Sequence, residues 1–232
     1  MTGPLVIGLT GGSGSGKGAV AQVLRGFGAR VLDADQLSRE AVCDPAALSE
    51  LVARLGPWVV GEDGLFDRKA VGLRVFGGVG ADGVGGSVGG GGGSGGVSEL
   101  GILTGITHKY IIKAIDERVR AYREGRGPEL AHAPALVLDA PLPVGRGFLD
   151  NVDVVWAVVC DSGKRIERIT ARDGITPGQA RARLAAQMAD IEYVRIADVV
   201  IRNDGSLADL ELKARQAWRG RGRGREAGGD KR

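Results

Sequence analysis

The feature that most constrains this chain is a glycine-rich run near its start, Gly11-Gly12-Ser13-Gly14-Ser15-Gly16-Lys17. The apolar residues at 4–10 precede it and predict a short buried strand, and an amphipathic helical pattern follows it. A glycine, four residues, then glycine and lysine in that context is the Walker A spacing. Such a loop turns its backbone amides inward at the positive end of a helix, where they form a nest for an anion. The chain is therefore predicted to bind a nucleotide through its phosphates.

The predicted nucleotide contacts extend from the loop into the helix: Gly12, Ser13, Gly14, Ser15, Gly16, Lys17, Gly18 and Ala19. Lys17 is predicted to reach the β- and γ-phosphates as a compact positive charge. Because 41 of the 232 residues are glycine, a chance match is the alternative interpretation, but the strand before the loop and the lysine after it argue against chance. Gly18 stands where the pattern has a serine or threonine that ligates magnesium, so a water would have to replace that ligand.

Apolar runs alternate with helical patterns along the rest of the chain, and four of them read as further strands: 30–33, 135–139, 152–160 and 198–201. Continuous apolar runs are expected for strands that are covered on both faces. The alternation predicts a three-layer α/β/α fold around a five-stranded parallel sheet. A last helix is predicted to begin at Ser206, with an inner stripe of Leu207, Leu210, Ala214 and Trp218.

The pattern favours one domain over residues 1–218, with a helical subdomain inserted at about 44–124. Within that insertion, residues 77–96 contain 13 glycines in 20 positions, too few large side chains to offset the entropy of ordering, so a flexible segment is predicted. Residues 219–232 alternate arginine and glycine and predict a disordered tail, with weak RNA or phospholipid contact as the alternative.

Composition excludes several classes of protein. The two cysteines, Cys43 and Cys160, are far apart and without CxxC spacing, which argues against a disulfide framework or a cysteine zinc site; both are interpreted as buried or half-buried apolar side chains. The longest apolar runs fall short of the roughly 20 residues that a membrane span needs. No basic segment precedes the first apolar stretch, so no signal peptide is predicted and a cytoplasmic location is expected.

The net charge is +3, but the segment 219–232 holds six basic and two acidic residues, which leaves the rest of the chain at about −1. A basic face for nucleic acid is therefore not predicted for the body of the protein. The sequence makes no prediction of oligomeric state.

An acidic pair, Asp33-Ala34-Asp35, comes at the end of the second predicted strand. Strand periodicity would place both carboxylates on one side at the carboxyl edge of the sheet, where ligands bind in open α/β folds. Phosphoryl transfer to an alcohol needs a carboxylate that accepts the hydroxyl proton and further oxygen near the metal. Asp139 closes the third strand and is interpreted either as an acid that holds Mg²⁺ through water or as a cap of the following turn.

These motifs together resemble the dephospho-coenzyme A kinases. The phosphate loop is followed by Val31-Leu32-Asp33-Ala34-Asp35, with Arg39 four residues later. Further similar stretches occur in the family's order: 63–68 with 75–76, Ile106-Thr107-His108, Pro141-Leu142, the set Arg168, Arg172, Asp173, Arg183 and Gln187, and 197–198 with Asn203 and Gly205. The resemblance covers about residues 5–218 apart from the glycine-rich insertion.

The resemblance implies transfer of the ATP γ-phosphoryl group to the ribose 3′-hydroxyl of dephospho-coenzyme A, with Mg²⁺ as the metal. It implies that Asp35 is the catalytic base and a metal ligand, with Lys17 beside the phosphates. The acceptor contacts that it implies are Asp33, Arg39 and His108, the last at the start of a helix.

The resemblance also implies an arginine-bearing lid at 172–190. Arg172 and Arg183 would close over the ATP phosphates, and Asn203 would lie by the adenine. For two of these residues a plainer interpretation stays open: His108 as a neutral hydrogen-bonding residue, and Arg172 as part of a solvated face.

The chain departs from the family pattern at three places: Gly18, Lys109 in place of proline, and Pro143-Val144-Gly145 in place of Leu-x-Glu. Two alternatives follow from these departures. One is a nucleotide-binding protein of the same fold with weak or no kinase activity, and the other is a different small-molecule P-loop kinase.

Overall fold

The computed structural model describes residues 4–75, 98–127, 132–140 and 148–220. The predicted glycine-rich insertion, the Pro141-Leu142 stretch and residues 221–232 of the predicted tail lie outside these ranges. The chain divides into two compact units, Met1–Ala34 with Ile115–Arg232, and Asp35–Ala114. Each unit is described by itself.

The first unit contains a five-stranded sheet in which every pairing is parallel, in the order β2-β3-β1-β4-β5. The strands are β1 Val6–Thr10, β2 Arg30–Asp33, β3 Leu136–Asp139, β4 Val154–Val159 and β5 Val199–Arg202. Strands β1, β3 and β4 are buried at every position, which is why the sequence shows continuous apolar runs there. The predicted five-stranded parallel α/β fold is confirmed.

The described helices are, in chain order, α1 Lys17–Gly26, α2 Ala34–Ala41, α3 Pro45–Leu55, α4 Arg68–Val75, α5 Glu99–Arg123, α6 Ser162–Asp173, α7 Pro177–Ala185, α8 Asp190–Ile196 and α9 Leu207–Gly220. A 3₁₀ turn at Pro57–Val59 follows α3. Among the residues described, no helix combines the length and the hydrophobicity that crossing a bilayer requires.

Helix α1 packs on the sheet through Val20 and Leu24, which are fully buried, as its apolar spacing predicts. It ends in a Schellman arrangement: the Ala29 amide donates to Leu24 O at 3.1 Å and the Gly28 amide to Arg25 O at 2.9 Å. Gly28 has a φ of 85°, a left-handed conformation that glycine adopts without steric cost. The chain thus reverses from α1 into β2 within a few residues.

Helix α9 begins as predicted with a reciprocal cap, because the Ser206 amide donates to Asp209 Oδ2 at 2.9 Å and the Asp209 amide to Ser206 Oγ at 3.2 Å. Its inner side chains Leu210, Ala214 and Trp218 are buried. The prediction for Leu207 was wrong: it is 61% exposed, because the core beneath α9 starts one turn later. The helix also includes Arg219 and Gly220, which had been assigned to the tail.

Over residues 35–75 and 98–114, the second unit is helical in its secondary structure apart from an isolated bridge between Val60 and Phe66. Its core is a cluster of five buried apolar side chains, Val42, Leu51, Val59, Val71 and Ile106. Asp44 caps α3 by accepting hydrogen bonds from the amides of Ala46 and Ala47 at 2.8 and 3.2 Å. The interpretation of Cys43 as buried was wrong: it is exposed in the turn between α2 and α3, whereas Cys160 is buried as predicted.

Candidate active site

The phosphate loop connects β1 to α1, as the sequence predicts. Gly16 is the N-cap of α1 with a φ of 98°, and no side chain caps this helix end. The first amides of α1 therefore face the loop with their partial positive charge available to an anion. Within the loop, the Ser15 amide donates to Gly12 O at 3.1 Å and closes a turn.

Asn203, the residue after β5, supports this loop through a side-chain hydrogen bond. It is 4% exposed, and its Nδ2 donates to Ser15 O at 2.7 Å. A side chain at Gly16 would collide with the Asn203 amide, so both the positive φ and the close approach require glycine there. The structure thus brings Asn203 to the nucleotide loop, where its visible contact is with the loop backbone.

A buried arginine on α6 braces the other side of the loop. Arg165 is 5% exposed; its Nε donates to Ser13 O at 2.8 Å and its Nη1 to Asp190 at 2.6 Å. The oxygen of Gln187 accepts from the Ser13 amide at 2.9 Å and from Arg165 Nη2 at 3.1 Å. Arg168, one turn along α6, donates to Gly14 O at 3.3 Å.

Arg165 was not predicted as a site residue, because an arginine in a strongly charged helix is usually taken for a surface residue. A signal was available. Arg165 lies four residues before Ile169, so the two share one face of α6, and both are buried. Arg165 and Asn203 hold the loop backbone in one conformation, and this conformation is therefore set by residues far along the chain.

Lys17, the lysine of the loop, forms an ion pair with Asp139 at the end of β3. Both side chains are largely buried, with exposed fractions of 19% and 11%. Burial raises the pKa of Asp139 above its ordinary value, although the Lys17 ammonium opposes that shift. Asp33 lies opposite Asp139 in the register of β2 and β3, and its charge acts in the same direction as burial.

The acidic edge of the sheet offers oxygen atoms that can be compared with the ligands of a magnesium site. Asp33 and Asp139 end neighbouring strands and present carboxylate oxygens, which are the ligands that Mg²⁺ prefers. Across the described ranges there is no group of three or more His, Cys, Asp or Glu residues that could hold a metal, and Gly18 supplies no side-chain oxygen. These residues fit a Mg²⁺ ion that keeps most of its water ligands, which is common for this ion.

The two predicted lid arginines meet at one carboxylate. Arg172 Nε and Nη2 donate to Asp173 at 2.6 and 2.9 Å, and Arg183 Nη1 donates to the same carboxylate at 2.5 Å. Hydrogen bonding to Arg172, with a further contribution from Arg183, lowers the pKa of Asp173 to about 2. The two cations therefore already share an anion, and this anion joins the end of α6 to α7.

Three of the predicted site residues, Asp35, Arg39 and His108, belong to the second unit. The prediction that Asp33 and Asp35 share a strand face was wrong, because β2 ends at Asp33 and α2 begins at Ala34. Asp35 lies in the first turn of α2 and Arg39 in its last; a spacing of four residues places them on one helix face, and both are exposed. His108 is exposed in the interior of α5, so its prediction as a helix start was also wrong.

A match to a protein-family model shows which family has this combination of phosphate loop and acidic edge. The dephospho-CoA kinase model matches residues 5–80 and 97–209. The chain belongs to the dephospho-CoA kinase family. The matched ranges leave out 81–96, which is most of the glycine-rich segment, so this segment is an addition to the family's common core.

Relatives agree with the dephospho-CoA kinase assignment. A protein of that name from Geobacter sulfurreducens is 36% identical over 214 residues, 92% of this chain and 96% of that protein. Another from Symbiobacterium thermophilum is 37% identical over 216 residues, 92% of this chain and 80% of its own length. A solved Thermus thermophilus structure matches with a TM-score of 0.65 at 30% identity, covering 93% of this chain and 98% of that one. A dephospho-CoA kinase from Campylobacter jejuni, at 21% identity and a TM-score of 0.64, covers 94% of this chain and 98% of its own, and supports the fold.

Proposed function

We propose that this chain transfers the γ-phosphoryl group of ATP to the ribose 3′-hydroxyl of dephospho-coenzyme A, giving ADP and coenzyme A. The observation that carries the proposal is the Lys17–Asp139 pair, because it places the lysine of a phosphate loop beside a carboxylate at the carboxyl edge of the sheet. The names of the relatives support this choice of acceptor.

The proposed ATP site uses the backbone amides from Gly12 to Ala19 around the phosphates. Lys17 exchanges the Asp139 carboxylate for phosphate oxygens, and Arg172 and Arg183 close over the phosphates from α6 and α7. Asn203 keeps the loop in shape and lies by the adenine. Oriented amides and fixed cations stabilise the charge that spreads over the transferred group, which is the main part that a protein plays in phosphoryl transfer.

On the acceptor side, Asp35 takes the proton of the 3′-hydroxyl as it attacks the γ-phosphorus. Arg39, one helical turn away on α2, binds the acceptor together with Asp33 and His108. Asp139 and Asp35 would hold Mg²⁺ through water, and the ion would supply charge neutralisation at the phosphates. The helical second unit is proposed as the acceptor-binding part, and residues 172–190 as the lid. The proposed location is the cytoplasm, with which the two free cysteines are consistent.

The experiment is a coupled assay for ADP, with MgATP and the purified chain, in the presence and absence of dephospho-coenzyme A. We expect ADP and coenzyme A in equal amounts only when the acceptor is present. Asp35→Asn should lower turnover by about 10²- to 10⁴-fold while ATP still binds, since general-base catalysis is lost. Asp63→Asn, at another exposed aspartate of the second unit, is the control. An Asp35→Asn variant with wild-type turnover would exclude the proposed base.

A weakly active or inactive nucleotide-binding protein is the second candidate, and Gly18 is the observation that favours it. A Cβ built at Gly18 meets nothing within 4 Å, so a serine fits there without displacing a neighbour. If the chemistry is intact, Gly18→Ser should raise magnesium-dependent turnover by adding a ligand oxygen. Gly18→Ala is the matched control. It also replaces a glycine within the helix, which stabilises the helix by at most about 1 kcal/mol, but it adds no hydroxyl. No gain with serine, together with negligible wild-type turnover, would support the second candidate.

A further inference from the structure

The side-chain oxygen of Gln187 accepts hydrogen bonds from two donors at the phosphate loop. One is the backbone amide of Ser13, at 2.9 Å, and the other is Arg165 Nη2, at 3.1 Å. Gln187 lies in the short segment between α7 and α8. The Ser13 amide of the loop therefore already has a hydrogen-bond acceptor, the oxygen of Gln187.

A loop amide together with a guanidinium is the donor combination that proteins use for phosphate oxygens. The amide oxygen of glutamine is neutral, whereas a phosphate oxygen is charged. Hydrogen bonds to an ionised acceptor are shorter and roughly twice as strong as those between neutral groups. A phosphate that reaches this position would therefore replace Gln187 as the acceptor.

Arg165 does not depend on Gln187 for its position. Its Nε is fixed on Ser13 O at 2.8 Å and its Nη1 on Asp190 at 2.6 Å, and the residue is 5% exposed. Because the guanidinium is a rigid planar fork, these two contacts also fix the direction of Nη2. When Gln187 leaves, Nη2 still points at the same place.

We propose that Gln187 Oε1 holds the place of an ATP phosphate oxygen in the nucleotide-free protein, and that ATP displaces it onto Ser13 N–H and Arg165 Nη2. The proposal rests on the proposed ATP site. Gln187 follows α7, which carries Arg183, so ATP binding releases the end of the proposed lid from the loop. Gln187 is thus a competitor of the nucleotide, and Arg165 is a phosphate ligand in addition to a support of the loop.

The test is the dissociation constant of ATP, measured by calorimetry without acceptor, for Gln187→Glu and Gln187→Ala. Glutamate puts a competing negative charge at the phosphate position, so the constant should rise by about tenfold or more. Alanine removes the competitor, so the constant should fall by about two- to tenfold, the value of one hydrogen bond. Gln179→Glu is the matched control, because Gln179 lies in the first turn of α7 and caps Thr176, a role that glutamate also fills.

A second readout follows the Ser13 amide by hydrogen exchange in NMR. In nucleotide-free protein it should exchange faster in Gln187→Ala than in wild type, and ATP should protect it equally in both. The proposal is overturned if Gln187→Ala weakens ATP binding, or if Gln187→Glu binds ATP as tightly as Gln179→Glu does. Failure of the wild type to bind ATP would overturn the proposed function as well. If the wild type binds ATP, and Gln187→Glu and Gln179→Glu have equal dissociation constants for ATP, only this inference is overturned.

Discussion

The two units of this chain use their polar side chains in different ways. In the first unit, polar side chains that are almost fully buried, Arg165 and Asn203, bond directly to the backbone of the phosphate loop. In the described part of the second unit, two ion pairs lie at the surface: Lys109 pairs with Glu50 at 2.8 Å and is 63% exposed, and Arg74 pairs with Glu99 at 2.8 Å and is 53% exposed. The second unit is held by its apolar cluster, and its proposed site residues are exposed side chains on helices.

This difference indicates a preformed nucleotide site and a more adaptable acceptor site. A buried polar network is stabilising only when each member is satisfied, so it fixes one geometry. The exposed helical positions of the second unit are less confined by packing than the buried side chains of the first. Substitutions in the two units should therefore separate ATP binding from acceptor binding.

The largest expected effect comes from the core of the second unit. Leu51→Ala empties a fully buried position and should lower the free energy of unfolding by about 2–5 kcal/mol. Denaturant unfolding measures that loss, and calorimetry should show ATP affinity within about twofold of wild type, because a twofold change is under 1 kcal/mol. Leu73→Ala, at a leucine that is 54% exposed in the same unit, is the control. A loss of ATP affinity in Leu51→Ala would contradict the separation of the two sites.

The next effect concerns the buried network of the first unit. Asn203→Ala leaves Ser15 O without its donor, and an unsatisfied buried acceptor costs about 1–3 kcal/mol. We expect weaker ATP binding and a lower thermal midpoint. Asn203→Asp, which keeps the shape but loses the donor, should show the same loss of ATP affinity. If both variants bind ATP as the wild type does, the loop does not depend on this contact.

A smaller effect is expected at Asp173, and it depends on pH. The pKa of Asp173 is lowered to about 2, below the value of about 3.9 for an unfolded chain, so its contribution to stability is present above pH 4 and is lost as the pH falls toward 2. Asp173→Asn should therefore lower the thermal midpoint at pH 7, and the difference from wild type should shrink as the pH approaches 2. A difference that stays constant over this range would show that the arginine pairing does not stabilise the fold.

The smallest effect is expected at the surface pair of the second unit. The hydrogen bond from Lys109 lowers the pKa of Glu50, but Lys109 is exposed and Glu50 is only half-buried, and ion pairs of this kind contribute little. Lys109→Ala should have the thermal midpoint of the wild type within error. A decrease as large as that of Asn203→Ala would remove the contrast between the units.

The sheet could be predicted from the sequence because strands β1, β3 and β4 are covered on both faces and read as unbroken apolar runs. The phosphate loop could be predicted because its chemistry needs glycine and lysine at a fixed spacing. Asp35 was misplaced because nothing in its neighbourhood marks where β2 becomes α2, and strand and helix periodicity give different faces. His108 was misplaced because α5 begins well before it, at Glu99.

The supports of the site could not be predicted in the same way. Arg165 reaches the Ser13 carbonyl of the loop from 152 residues away in the chain, and only the tertiary fold brings it there. A charged residue in a helix gives no local sign that it is buried against a backbone carbonyl. The motif thus specifies the loop, while its immobilisation depends on long-range contacts that periodicity does not encode.

The contact between Asn203 and Ser15, 188 positions apart, has a consequence for the order of synthesis. A ribosome makes the phosphate motif before β5, so a nascent chain carries the motif before Asn203 has been added. The Ser15 carbonyl of such a chain lacks its Asn203 donor. The order of translation thus delays this support of the loop until β5 and Asn203 have been made.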